Sequence, residues 1–224
     1  MAKRPDPVPA WEDELKRLIQ LGRDREAAEL ATHRLAPPSQ GAPMDPRDQL
    51  DEILPLLDEL VASLHPTQLD LPTSCAAFAV RDILEHMIGG ARTIAAAFQG
   101  AAARPEAEEH DLVATFPVAM AELRAAMSTP GALEHIIAGP FGDAPGDVLA
   151  RFVAMDGLVH GWDIATATGQ PYEPPPPIVA EVDAFSRQAI TEDLRDGDTF
   201  AAAVEPPADS SAIIRLVAFT GRTV

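Results

Sequence analysis

The 224-residue sequence has one cysteine, Cys75. A lone cysteine excludes an internal disulfide framework and fits a reducing, cytoplasmic setting. Lysine is nearly missing too, with Lys3 and Lys16 the only two. Arginine supplies the other basic charges, but 17 basic residues face 35 acidic ones, for a formal net charge of −18. That balance repels phosphate backbones and anionic lipid, which argues against nucleic acid and membrane partners. It gives no hold on acidic substrates either, unless a bound cation reverses the local field. No apolar run approaches the ~20 residues that span a bilayer. The proline-rich start, Met1 to Ala10, has no apolar stretch of the secretory kind. Aromatic residues are only 5% of the chain. With alanine abundant, that scarcity favours closely packed helices over sheets. There is no internal repeat and no glycine-rich phosphate loop.

What is present is a 46% hydrophobic content, enough for a substantial core. Residues 11–35 read as one or two short helices, with Trp11, Leu15, Leu18 and Ile19 forming an apolar group. The stretch Ala36 to Pro43 reads as a linker. We therefore expect an N-terminal helical appendage, residues 1–43, and a main helix-bundle domain, residues 44–224. A short helix isolated in this way is marginal in water, so it should dock on the bundle or on a second chain of a homodimer. Asp45-Pro46 marks a helix start, an N-cap carboxylate followed by proline at the first helical position. Leu50 to Leu64 follow at helical spacing, with Pro55 a potential kink. Further helices are expected over 80–99, 111–127 and 146–168, the last stopped by Gly169. Residues 131–145 read as loop with room for short strands. Glu173 to Pro177 reads as a stiff spacer, and short helices near 178–194 and 211–219 close the chain. Four long helices joined by moderate connections imply an all-α helix bundle.

The chemistry concentrates in the helix ending at Thr168. It is apolar on nearly every side, as a buried helix would be, yet it carries Asp156, His160 and Asp163. Their i, i+4, i+7 spacing stacks them on one stripe, with Leu149, Val153 and Ala167 close by. Ionisable groups in a core are costly unless paired or metal-bound. A carboxylate and a histidine at i, i+4 also form a natural chelating fork. Gly157 and Gly161 flank the fork, where each costs about 1 kcal/mol relative to alanine; close approach of a neighbour would offset that. His86, mid-helix beside an apolar stripe, is the best third donor. His33 lies in the appendage, His65 precedes a proline, and His110 and His135 sit in polar or loop segments. Asp163 reads as a supporting carboxylate able to fix a histidine tautomer. Trp162 and Cys75 read as core. Spacing alone leaves a metal-free buried ion pair open beside a two-histidine, one-carboxylate site.

Three stretches carry a resemblance. Pro72 to Gly90 resembles the P-T-P-C-x-x-W-T-V-R-D-L-L-x-H-x-x-G-G segment of the DinB-like superfamily, in particular of actinobacterial proteins akin to the N-terminal domain of mycothiol-dependent maleylpyruvate isomerase. Asp156 to Gly169 is similar to that group's D-x-x-x-H-x-W-D-L-A-x-A-T-G. Asp209 to Arg222 is similar to its A-S-x-x-x-R-L-L-A-F-x-G-R. The likeness runs from about Met44 to Arg222. It implies a DinB-like four-helix bundle holding a divalent metal, usually zinc, on positions that fall at His86, Asp156 and His160. The isomerase has glutamate where Asp156 stands, so the ligand arm here is shorter. Phe78, Ser74 and Ala79 replace the usual tryptophan, proline and capping threonine. No counterpart of the isomerase's larger C-terminal domain is expected from these residues, so its particular substrate is not assumed.

The resemblance implies a metal-dependent enzyme, an isomerase or S-transferase acting on a small electrophile with mycothiol or a similar low-molecular-weight thiol. Three protein ligands leave open positions for a sulfur, and coordination deprotonates a thiol. A hydrolase using metal-bound water is the competing chemistry. Two histidines and a carboxylate also match non-haem iron oxygenases, ranked lower because the resemblance points to zinc. A catalytically silent metal-binding or partner-binding bundle is the rival of another class.

Overall fold

In the computed structural model, residues 10–35, 43–75, 78–101, 111–139, 142–195 and 200–224 are described. Eight α-helices, two short 3₁₀ turns and one two-stranded hairpin make up the regular elements among them. The fold is the expected all-α class. The first helices are α1 (Ala10–Gln20) and α2 (Asp24–Leu35). The bundle consists of α3 (Pro46–Ala62), α4 (Val80–Phe98), α5 (Leu112–Met127) and α6 (Gly146–Thr168). Then come α7 (Pro176–Ala189) and α8 (Ala212–Phe219). No described helix is long and apolar enough to cross a membrane.

Local chemistry accounts for the helix ends. The Asp45 carboxylate accepts the Arg47 N–H at 2.9 Å, and Asp111 accepts the Ala114 N–H at 3.0 Å. Each satisfies a donor that a helix start leaves free. Ala79 has no side chain to cap α4, so only the reciprocal half of a capping box survives there: Asp82 accepts the Ala79 N–H at 2.7 Å. Gly169 closes α6 at φ 70°, a left-handed conformation open to glycine. Pro55 lies inside an uninterrupted α3. The hairpin pairs β1 (Ile136–Gly139) with β2 (Gly142–Pro145), antiparallel, with Ile136 opposite Pro145, and runs straight into α6.

The proline run behaves differently from a spacer. Pro176 and Pro177 form the first turn of α7, where missing N–H groups cost nothing and the fixed φ suits a helix. The helix also stops earlier than the periodicity predicts, at Ala189, and a 3₁₀ turn covers Glu192–Leu194.

Helix α6 is the central element. Its buried residues run almost unbroken from Gly146 to Ala165, against α3 on one side and α4 on another. Side chains of α3 pack against both Gly157 and Gly161, and Tyr172 also lies against Gly161. A Cβ at Gly157 would sit 3.2 Å from Ile53 Cγ2 and 3.3 Å from Leu57 Cδ1. At Gly161 it would run into the Tyr172 hydroxyl, with Tyr172 Cζ at 2.6 Å and Leu57 Cδ2 at 2.8 Å. The two positions should therefore part company on substitution. At Gly157 the helix-propensity gain of about 1 kcal/mol roughly offsets mild crowding. Gly161→Ala should lose about 1–2 kcal/mol net, because overpacking outweighs that gain. Urea midpoints of the two variants measure the difference, and equal midpoints would contradict the packing argument.

The N-terminal helices dock on the bundle. Ala31 of α2 is buried with Val148 of α6 and Phe185 of α7, and Trp11, Leu15 and Phe152 pack around them. The Phe152 and Phe185 rings meet edge-on at 5.2 Å. Within the chain, the segment expected to dock packs its apolar side on α6 and α7.

Candidate metal centre

Asp156, His160 and Asp163 stand on α6, two turns of one buried helix, while His86 approaches from the middle of α4. The two helices pack side by side, so two residues 70 apart in sequence meet: His86 Nε2 lies 3.5 Å from Asp156 Oδ1. His160 Nε2 lies 3.3 Å from the same oxygen. The two imidazoles meet edge-on with centroids 5.1 Å apart. One donor atom from each of His86, Asp156 and His160 lies within 4.8 Å of the others, a spacing that one cation can bridge. Among the described residues this is the one such trio of metal-ligating side chains.

The three are unequally sheltered. The His160 side chain is 7% exposed, against 45% for His86 and 41% for Asp156. The stripe expected to point inward thus opens to solvent on the Asp156–His86 side. Phe78, standing where tryptophan is usual, lies 5.9 Å from the His86 ring and forms part of that rim.

His160 is held from behind. Its Nδ1 lies 3.0 Å from Asp163 Oδ2, and Asp163 is fully buried. An Nδ1–H donated to this carboxylate leaves the Nε2 edge facing Asp156 and His86. Asp163 thus stands where a carboxylate able to fix the His160 tautomer would be placed. Burial works against a charged His160, but Asp156 and then Asp163 outweigh it and raise the imidazole to about 9. For Asp156, lost hydration pushes the carboxyl up, yet His160 and then His86 hold it well below the ordinary carboxylate range. Without a metal, the imidazolium donates to a carboxylate from each nitrogen. A proton on Nε2 then sits where a cation would bind.

One participant escaped sequence reasoning. Arg222 Nη2 lies 3.0 Å from Asp163 Oδ2, and its Nε lies 3.3 Å from Oδ2 and 3.4 Å from Oδ1. A signal for it existed. A carboxylate in an otherwise apolar helix needs more than one neutral histidine to compensate it. An arginine closing a C-terminal motif was an available partner.

The remaining residues singled out lie elsewhere. His65 caps a short 3₁₀ turn through Nδ1, and the His135 ring lies beside Gly131. The side chain of His33 and the whole of His110 fall outside the described residues. Trp162 is core, 8% exposed. Cys75 packs against the core but is only partly buried, because it lies in the turn ahead of α4 rather than inside a helix.

Residues 50–165 match the family described as the mycothiol maleylpyruvate isomerase N-terminal domain. The chain belongs to this family. Two uncharacterized proteins of Mycobacterium tuberculosis, from two strains, are each 31% identical to it over 166 residues, which is 74% of this chain and 91% of theirs. No solved structure matches. The family match encloses His86, Asp156, His160 and Asp163; Arg222 lies beyond it.

Proposed function

We propose that His86, Asp156 and His160 hold a divalent metal, with zinc the leading ion, in a thiol-dependent isomerase or S-transferase acting on a small electrophile. The observation that carries this reading is the trio itself. Two nitrogens and a carboxylate oxygen from two helices converge within 4.8 Å, and the buried histidine has its other nitrogen fixed by Asp163. The donor set fits zinc, which accepts nitrogen and oxygen ligands and in catalytic sites keeps an open position beside three protein ligands. The family's name supports mycothiol as the thiol. A zinc ion in this position would supply a Lewis acid that favours a bound thiol as thiolate.

The chain's own residues do the rest. Asp163 turns the His160 ring so that Nε2 faces Asp156 and His86. Asp156 contributes a negative charge that offsets part of a cation's. The exposed His86 and Asp156 leave the approach on the solvent side, where a thiol and an electrophile can enter together. Phe78 gives that side an apolar edge.

Metal analysis of the purified protein comes first, followed by titration of a cobalt-substituted sample with mycothiol. A thiolate-to-metal band in the near ultraviolet is expected. An unchanged spectrum at millimolar thiol, with cobalt still bound, would remove the thiol from the reading and favour metal-bound water as nucleophile.

A further inference from the structure

We infer that Arg222 is a positioning residue for the metal centre, setting cation affinity through Asp163 and His160 without touching the ion. The inference rests on the metal reading above and extends it to a residue outside the family-matched span.

Four observations carry it. Asp163 is fully buried, so no water replaces a lost partner. The His160 Nδ1 and the Arg222 Nη2 converge on the same oxygen, Asp163 Oδ2, each at 3.0 Å. Guanidinium and imidazole therefore compete for, and jointly fix, one atom. Arg222 itself is only 9% exposed, so its charge is committed to this contact.

The fourth observation is the turn that delivers it. After α8 the Gly221 N–H donates to the Ala218 carbonyl at 3.0 Å, and the Arg222 N–H donates to the Val217 carbonyl at 3.0 Å. This is the paired closure of a Schellman motif, which requires a left-handed residue. Gly221 supplies it, at φ 98°. A Cβ there would lie 2.7 Å from the Ala201 Cβ and 3.0 Å from its backbone. Both the φ and the space demand glycine, and together they turn the chain so that Arg222 reaches α6.

The two donors of the guanidinium fork fix the rotation of the carboxylate. That rotation in turn fixes the imidazole plane, and hence the direction of Nε2. Without the fork, Asp163 is held by His160 alone, and the fork no longer orients the metal-facing nitrogen. Loss of an outer partner of a metal-binding histidine typically costs about 10–100-fold in affinity.

The test is zinc affinity, by competition with a chromophoric chelator, in wild type, Arg222→Met, Arg222→Lys, Asp163→Asn and the Asp163→Asn/Arg222→Met double variant, with circular dichroism reporting the fold. We expect Arg222→Met to bind about tenfold more weakly, and Arg222→Lys, with its charge but no fork, to fall between it and wild type. In the Asp163→Asn background, replacing Arg222 should cost little more. Wild-type affinity in a folded Arg222→Met protein overturns the inference, as does an undiminished loss in the Asp163→Asn background. Should Arg222→Met fail to fold, Arg222→Gln, which keeps a donor and loses the charge, carries the same expectation and the same overturning result. If the wild type binds no ion, the metal reading falls and takes this inference with it. If only the variants behave like wild type, this inference alone falls.

Discussion

His160→Ala is expected to lose nearly all bound metal. The loss should exceed the ~10–100-fold that removal of an outer partner costs, because a ligand is removed rather than its support. His160 is the sheltered member of the trio and the one whose orientation is fixed from behind. His86→Ala should also release most of the ion, and Asp156→Asn should weaken binding because the amide cannot offset the cation's charge. The fold should survive His160→Ala, since Asp163 keeps its bonds to Arg222. Metal content by atomic emission after gel filtration, with thermal melting alongside, separates ligand loss from unfolding. Full occupancy in the folded His160→Ala protein would remove the centre as drawn.

The second large effect is a pH dependence of the metal-free protein. His160 is raised from an ordinary 6.5 to about 9 in the fold. A raised pKa means that the folded state holds the proton more tightly than the unfolded chain does. The stabilisation is therefore complete below pH 6.5 and is lost as the pH climbs through about 9. At ~1.4 kcal/mol per unit, the change is on the order of 3 kcal/mol. The depressed carboxyl of Asp156 reports the same contact from its other side, with the opposite window: its share is present above the ordinary carboxylate range and lost in acid. The two are one interaction and count once. Urea denaturation of chelator-treated protein between pH 6 and 9.5 measures the loss. That range stays below the Tyr172 phenol, which burial pushes up. A flat profile would mean that His160 is not charged between its two carboxylates.

Much of this was legible in the sequence, for identifiable reasons. The bundle helices carry clear apolar periodicity, and Asp45, Asp111 and Gly169 mark ends with local chemistry that needs no tertiary context. The fork was legible because i, i+4 spacing on a helix fixes geometry by itself. His86 required a guess about which helices pack together, and the structure brings it to 3.5 Å from Asp156. The start of α7 was misread because a proline run has two local solutions, and only packing of Ile178 and Val182 into the core selects the helical one. Exposure of the site mouth was not legible either. Leu149 and Val153 lie near the same stripe, yet only Leu149 is buried. Arg222 left only an indirect signal, the need of a buried carboxylate for a cationic partner, because a contact across 59 residues leaves no local pattern that names it.

The meeting of α4 and α6 at this centre has a mechanical side. A chain with one cysteine cannot close a covalent ring of its own. An ion joining His86 to the fork on α6 would close a ring of 70 residues, with α5 and the hairpin inside it. On the scale used for disulfides, a ring of that size restricts the unfolded chain by roughly 4 kcal/mol. Such a clasp opens to a chelator and is indifferent to reductant, so metal supply rather than redox state would govern how firmly the middle of the bundle is tied.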